Sequence, residues 1–223
     1  MNISEMLGEY ERDYALAMLG VEDFPYQKLS GKTIVVDGES EYMKLTVCMS
    51  LLALNDKEKL SIKVLMLGNG NELSEKLAER NDFSLCSYEQ AAATEYNFFI
   101  STGICGLELN GTSAEYCRIT NNFARAISTA KSCLERCILL SDYRVYGELE
   151  RGLVISENEA GFVPFSNNGD MSQTTAVSIE TYFSAYAKQF NLPTIILRSG
   201  ILLGAKAELP QNFTDELFSA VAE

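Results

Sequence analysis

The stretch Thr33-Ile-Val-Val-Asp37-Gly38-Glu39-Ser40-Glu41-Tyr42-Met43-Lys44 carries an apolar run into a glycine turn and on into helical spacing. A strand–turn–helix junction of this kind cradles phosphate when glycines at three positions let backbone N–H groups and the helix N-terminus approach the anion. Here those positions are Gly38, Glu41 and Lys44. Gly38 suits the turn. Glu41 puts a carboxylate where phosphate would meet the helix dipole, so it satisfies the helix end, mimics such a ligand and repels it. Lys44 adds bulk where helix and strand pack closely. Binding of a phosphate-bearing cofactor therefore rests on Gly38 alone, and is expected to be weak. After the next apolar run, Gly68-Asn69-Gly70-Asn71 offers a sound loop but no charged group before Glu72. Leu73 stands where a further glycine would be needed, which makes this a poor phosphate site.

Other chemistry is limited by residue type. The chain has no histidine, which removes imidazole acid–base work, His-metal sites and His-based triads together. The six cysteines, Cys48, Cys86, Cys105, Cys117, Cys133 and Cys137, form no CxxC pair, and several sit in apolar runs as free buried thiols do. Cys133 and Cys137 are four apart, with a helix end and a strand start expected between them. No metal site is expected.

The elements that must position these residues alternate. Short apolar, β-branched or aromatic runs at 33–37, 62–67, 83–86, 97–101, 137–141 and 194–198 read as strands buried on both faces. Helical spacing occupies 42–54, 71–80, 112–133 and 171–190. This pattern predicts an α/β fold: a Rossmann-like doubly wound parallel sheet with helices on both faces. Residues 1–28 are expected to form an N-terminal helical extension, with an amphipathic helix over 3–19, and 29–223 a single domain. The long irregular stretch 148–170 reads as a solvated acidic loop. Ligands of such sheets bind beyond the carboxyl ends of the strands, so the turns after residues 37, 67, 101, 141 and 198 are the places to look.

Composition excludes some partners. A net charge of −13 argues against nucleic acid, which needs clustered Lys and Arg. No apolar run approaches the roughly 18 residues of a membrane span. Glu5, Glu9, Glu11 and Asp13 stand where an export signal would be basic, and the expected location is cytoplasmic.

Ile138-Leu-Leu-Ser141-Asp142-Tyr143-Arg144-Val145-Tyr146-Gly147 resembles the "SSxxVYG" strand and turn of the extended short-chain dehydrogenase/reductases, the NAD-dependent nucleotide-sugar epimerases and dehydratases. Three further segments are similar to the same family. Leu29–Gly38 looks like its first strand, Thr120-Asn121-Asn122 like its "tNvxGt", and Phe190-Asn-Leu-Pro193 through Arg198 to Gly204 like its "LPtxxLRxxnvyG". The resemblance spans about 29–205, in order. It implies a catalytic Ser or Thr, a Tyr and a Lys four residues later, at positions held here by Asp142, Thr175 and Ile179. Threonine does not ionise near neutral pH and isoleucine cannot tune a neighbour or hold a ribose. No Tyr-x-x-x-Lys occurs anywhere in the chain. Family members also continue past the sixth strand with segments that form the sugar-nucleotide pocket, so the substrate subdomain is expected to be reduced or absent.

The resemblance thus implies a catalytically inactive homologue, a pseudoenzyme acting as a binding or partner subunit, with no cofactor expected. The alternative is an active enzyme with altered residues, keeping NAD(P) and using Asp142 as a base, its pKa raised by burial from ~3.9. A strand-end aspartate more often caps a turn. In the family the helices matching 112–133 and 171–190 build a dimer's four-helix bundle, which implies a homo- or hetero-dimer here, with an intact epimerase as one candidate partner.

Overall fold

The computed structural model describes residues 25–105, 107, 112–147, 156–157 and 171–200. Strands β1 (Thr33–Asp37), β2 (Lys63–Leu67), β3 (Phe83–Cys86), β4 (Tyr96–Ser101), β5 (Cys133–Asp142) and β6 (Thr194–Ser199) form one sheet. Its order is β3-β2-β1-β4-β5-β6, every neighbouring pair parallel. Strand order reverses between β1 and β4, and their divergent ends open a crevice at the carboxyl edge. The doubly wound α/β arrangement expected from the alternating pattern is the one observed.

Helices α1 (Glu41–Glu58), α2 (Glu72–Leu77), α3 (Tyr88–Ala93), α4 (Ser113–Thr129) and α5 (Met171–Phe190) connect the strands. Period-two alternation in β1 sends Ile34 and Val36 to one face, where they meet Leu45, Cys48 and Leu52 of α1 and Val64 and Met66 of β2. Val35 faces the other way, into a second core with Phe99, Ile119 and Phe123 of α4, and Ile179 and Phe183 of α5. Phe99 and Phe183 are fully buried, each contributing roughly 2 kcal/mol of transfer free energy. Both faces of the central strands are therefore dry, which is why those strands read as nearly continuous apolar runs, while the edge strand β6 leaves Leu197 exposed.

Local signals set the boundaries. Ser40 caps α1, its Oγ accepting from the Met43 N–H at 3.4 Å, and the helix stops at Lys59 with φ 54°. Asn71 with Ser74, and Ser87 with Gln90, form reciprocal capping boxes that start α2 and α3. The expected helix over 71–80 shortens to Glu72–Leu77, and α3 adds a turn absent from the sequence reading although its Ser-x-x-Gln box was there. The helix expected over 112–133 gives way to a 3-10 turn at Ala130–Ser132. β5 begins four residues before the expected 137, because Cys133 pairs with Tyr96 and Arg136 with Phe98 across a bulge. Cys133 and Cys137 thus share one strand, and no helix end separates them.

Polar ties hold the amino-terminal edge of the sheet. Asn55 near the end of α1 donates to the Ile62 carbonyl at 3.2 Å and accepts from the Ile62 N–H at 2.9 Å. Its Nδ2 also reaches Asp82 at 2.8 Å. Arg80 lies between Asp82 and Asp56, donating to each at 2.8 Å, with its side chain only 7% exposed. Lys32 pairs with Glu135, which also accepts from Asn97 at 2.8 Å. The expected helix over 3–19, all of the 148–170 loop except residues 156–157, and Gly204 lie outside the described residues.

Candidate functional site

A cleft of about 620 Å³ opens at the carboxyl ends of β1, β2 and β3. Its inner edge is the β1 turn. Gly38 has φ +151°, and a Cβ there would lie 1.9 Å from Thr102 Oγ1 in the turn after β4. Backbone bonds stitch the two turns together: Thr102 N–H donates to the Asp37 carbonyl at 2.8 Å and Glu39 N–H to the Gly103 carbonyl at 3.0 Å. The glycine is thus required by close approach of protein to protein.

The next two positions behave differently from expectation. Ser40, not Glu41, caps α1. Glu41 instead pairs with Lys44 at 3.1 Å, and its other oxygen is buried without a hydrogen-bond partner. Lys44 is buried, its side chain packed against the β1 turn. Its stem lies against Gly38, and its ammonium runs across the cleft floor to 3.5 Å from the Leu67 carbonyl. The cradle therefore holds an internal ion pair.

Asp37 ends β1 beneath this pair, buried and accepting from Ser101 Oγ at 3.1 Å. Burial pushes its pKa up to about 6, against the opposing pull of Lys44 and Ser101. A raised carboxyl pKa contributes stability at pH below about 4, and this is lost as pH rises through about 6. Asp37→Asn should therefore be more stable than the parent by about 1–2 kcal/mol at pH 8 and show no advantage at pH 4. Urea unfolding at the two pH values checks this; equal effects at both would refute it.

The outer wall is α4. Glu39 reaches across to it, accepting from Arg118 Nη1 at 3.0 Å and Asn122 Nδ2 at 2.9 Å. Two turns on, Arg125 lies 4.4 Å over the Tyr88 ring and 3.5 Å from Glu89. Burial, with the nearby Asp37 and Glu39 charges, pushes the Tyr88 hydroxyl up to about 12. The opposite lip is the β2 turn. Gly68 has φ +96°, and a Cβ on Gly70 would fall 2.5 Å from Ser74 Oγ. Both glycines serve loop packing, and Asn69 supplies no charge to the cleft.

The second locus lies at the end of β5. Asp142 caps the 3-10 turn Tyr143–Tyr146, accepting from the Arg144 N–H at 2.9 Å, and its two oxygens take Arg144 Nε at 2.7 Å and Nη2 at 2.8 Å. Thr175 is buried and returns its hydroxyl to the Met171 carbonyl at 2.7 Å. Ile179 is buried in the α5 core stripe. Asp142, Thr175 and Ile179 are thus each committed to capping, helix back-bonding or packing.

One residue along α5 is a group that the sequence reading passed over. Glu180 accepts from Ser141 Oγ at 2.5 Å and from Arg198 Nε and Nη2 at 3.0 and 2.9 Å. Arg198 also lies 4.8 Å over the Tyr146 ring, and the hydrogen bonds it makes to Glu180 and Tyr146 hold its guanidinium above its usual pKa. Beside it, Cys105 Sγ is 2.8 Å from Ser199 Oγ. Opposite charges eighteen residues apart carry no spacing signal, so only the fold pairs them.

At the first locus, Glu39 and Glu41 bring two carboxylates to the turn that would take a pyrophosphate, and Ser40 already occupies a helix N–H. At the second, no phenol or ammonium stands where the proton-transfer pair would be, since Thr175 and Ile179 fill those positions.

No protein-family model matches the chain. No curated protein matches it either. Solved structures do. UDP-glucuronic acid 4-epimerase from Bacillus cereus, in complex with NAD, superposes with a TM-score of 0.55 at 18% identity, over 75% of this chain and 56% of that one. WbmH from Bordetella bronchiseptica, in complex with NAD+, gives 0.57 at 12%, over 85% and 63%. dTDP-glucose 4,6-dehydratase from Bacillus anthracis, in complex with NAD, gives 0.54 at 12%, over 86% and 61%. The chain spans less than two thirds of each of these enzymes. What it shares with these enzymes is their Rossmann fold.

Proposed function

We propose that this chain is a catalytically silent homologue of the NAD-dependent nucleotide-sugar epimerases and dehydratases, a pseudoenzyme that acts as a binding or partner subunit. One observation carries the reading: an internal ion pair fills the phosphate cradle, and another lies beside the positions of the proton-transfer pair. Glu41–Lys44 occupies the phosphate cradle, and Ser141–Glu180–Arg198 lies beside positions 175 and 179, where a Tyr and a Lys would be needed. A group that moves a proton must have an appropriate pKa and reach the substrate, and neither Thr175 nor Ile179 has both. The chain is proposed to work in the cytoplasm, where its six free thiols, five of them buried, stay reduced.

The partner surface is proposed to be the outer side of α4 and α5, the expected dimer helices. A groove of about 280 Å³ runs between them, lined by Cys117, Asn121, Met171 and Tyr182. Met171, Tyr182 and Phe190 of α5 are 39%, 47% and 41% exposed, which suits burial against a second four-helix-bundle half.

Thermal melts with NAD+, NADH, NADP+ and NADPH at millimolar concentration test the silent cleft. No shift is expected. A saturable rise in Tm, as mass action requires of a ligand, would overturn it. Opening the cradle by the double change Glu41→Gly and Lys44→Gly should restore a measurable shift if the ion pair is what excludes the cofactor. Sedimentation equilibrium tests the partner surface: a dimer is expected, and a strict monomer that co-purifies with no epimerase-like chain would count against it.

A further inference from the structure

Strands β5 and β6 have two faces, and the helices cover one of them. Cys137 and Leu139 of β5 and Ile196 of β6 pack into the core beneath α4 and α5. Period two then turns Arg136, Ile138 and Leu140 of β5, and Ile195 and Leu197 of β6, to the opposite face, the one on which α1 lies. Register sets them in rows. Val36 stands beside Ile100, Ile100 beside Ile138 and Ile138 beside Ile195, with Leu140 beside Leu197 in the next row. Exposure rises outward from α1: Val36 is 0% exposed, Ile100, Ile138 and Ile195 are half-buried, and Leu197 is 50% exposed. Among the described residues, Ile138, Leu140, Ile195 and Leu197 join neither core, and no second helix continues the cover that α1 provides.

Four adjoining aliphatic side chains on two paired strands make a face that suits an apolar cover. The chain carries an element of that kind. Residues 201–223 follow β6 and lie outside the described residues. Within them Phe213, Leu217, Ala220 and Val221 stand at i, i+4, i+7 and i+8, and this spacing predicts an amphipathic helix over 213–222. Asn212 before the first of them, and Asp215 and Glu216 in the first turn, are helix-start residues. A helix of that span is about 15 Å long, against about 10 Å from β4 to β6 across the sheet. Extended, residues 201–212 reach about 40 Å, roughly twice the length of β6, so the helix can return over the face.

Charge favours the same occupant. Of the five side chains that β5 and β6 turn to this face, the one that is charged is Arg136, and it is exposed. Asp215, Glu216 and Glu223 fall on the polar side of the predicted helix, so laying its apolar stripe on the sheet brings carboxylates toward a guanidinium. A second copy packed through the same face would bring another Arg136 and no carboxylate from these positions.

We infer that the segment 213–222 packs as an amphipathic helix on the α1 side of β5 and β6, with Phe213, Leu217 and Val221 against Ile138, Leu140, Ile195 and Leu197. The segment extends the α1-side core across the edge of the sheet. This surface is independent of the partner side proposed above, since α4 and α5 lie across the sheet from it.

Photocrosslinking of the full chain tests the contact. Benzoylphenylalanine placed at position 197 should, on irradiation, join the tryptic peptide that follows Lys206 in the same chain. The same group at position 182, on the outer side of α5, should not join it. A product of twice the chain's mass puts a second copy on the face, and a join to residues 1–24 puts the amino-terminal segment there. Either result overturns the inference, as does the absence of any product from position 197 or an equal yield of that peptide from position 182.

Thermal melts supply an independent readout. Leu217→Asp should lower Tm by about 5 °C and raise the binding of an apolar-surface dye. Leu197→Asp should do the same, and the double variant should lose little more than either alone, because each change breaks the same contact. A Leu217→Asp chain that melts like the parent, or losses that simply add, would overturn the contact.

Discussion

Replacing Gly38 by alanine is expected to destabilise the chain by about 3–4 kcal/mol, the sum of overpacking and backbone strain. Two causes act at one atom. The new Cβ would lie 1.9 Å from Thr102 Oγ1 and 3.1 Å from Thr102 Cβ, and φ is +151°, a region that residues with a side chain rarely adopt. The turns after β1 and β4 cannot simply separate, because the Thr102–Asp37 and Glu39–Gly103 backbone bonds join them. Thr102→Ala removes the oxygen at 1.9 Å but not the φ requirement. On the Gly38→Ala background it should therefore recover roughly half of the loss, while costing little by itself, since that hydroxyl has no hydrogen-bond partner. Urea denaturation of the four chains closes the cycle. If the double variant is no more stable than Gly38→Ala alone, the steric account fails. The result bears on the site as well: this glycine serves the packing of the β1 turn against the β4 turn.

Arg80→Ala is expected to cost about 3 kcal/mol at neutral pH, as loss of one partner from a partly buried charge cluster does. Arg80 donates to Asp56 at 2.8 and 3.1 Å and to both oxygens of Asp82 at 2.8 Å. Removing it leaves two carboxylates with the hydrogen bond from Asn55 to Asp82 in place, at the junction of α1, β2 and β3. Burial works to raise the Asp82 pKa, but hydrogen bonds from Arg80 and Asn55 hold it below the ordinary value. A lowered carboxyl pKa contributes stability above about pH 4, and this is lost as pH falls through the folded value. The difference between parent and variant should therefore shrink from pH 7 toward pH 3. Arg80→Lys keeps the charge and loses the planar fork, so it should fall between the two. A pH-independent difference would mean that packing of the guanidinium stem, not charge, explains the cost.

Much of the frame was legible in the chain. The alternation of β1, with Ile34 and Val36 on one side and Val35 on the other, follows from a period of two and two apolar coverings. Gly38 as a turn and Asn71 as a helix start follow from residue type. The short α3 was also written locally, in Ser87 and Gln90 three residues apart. β5 was harder. Its first residues pair with β4 across a bulge, and a bulge arises from the register of two strands, not from one strand's own pattern.

The site divides along the same line. From the sequence alone came the missing chemistry: no histidine, no Tyr-x-x-x-Lys, and charged residues at 41 and 44 where glycines would open a cradle. Those are statements about which groups exist, and composition and order decide them. What each group does instead was decided by tertiary structure. Glu39 crosses to Arg118 and Asn122, and Glu180 joins Ser141 to Arg198. The physical reason is range. A cap or a turn is satisfied within four residues, so its residue type announces it. An ion pair needs only proximity, and Glu39 lies 79 residues from Arg118 and becomes its neighbour only when the sheet sets α4 against the β1 turn.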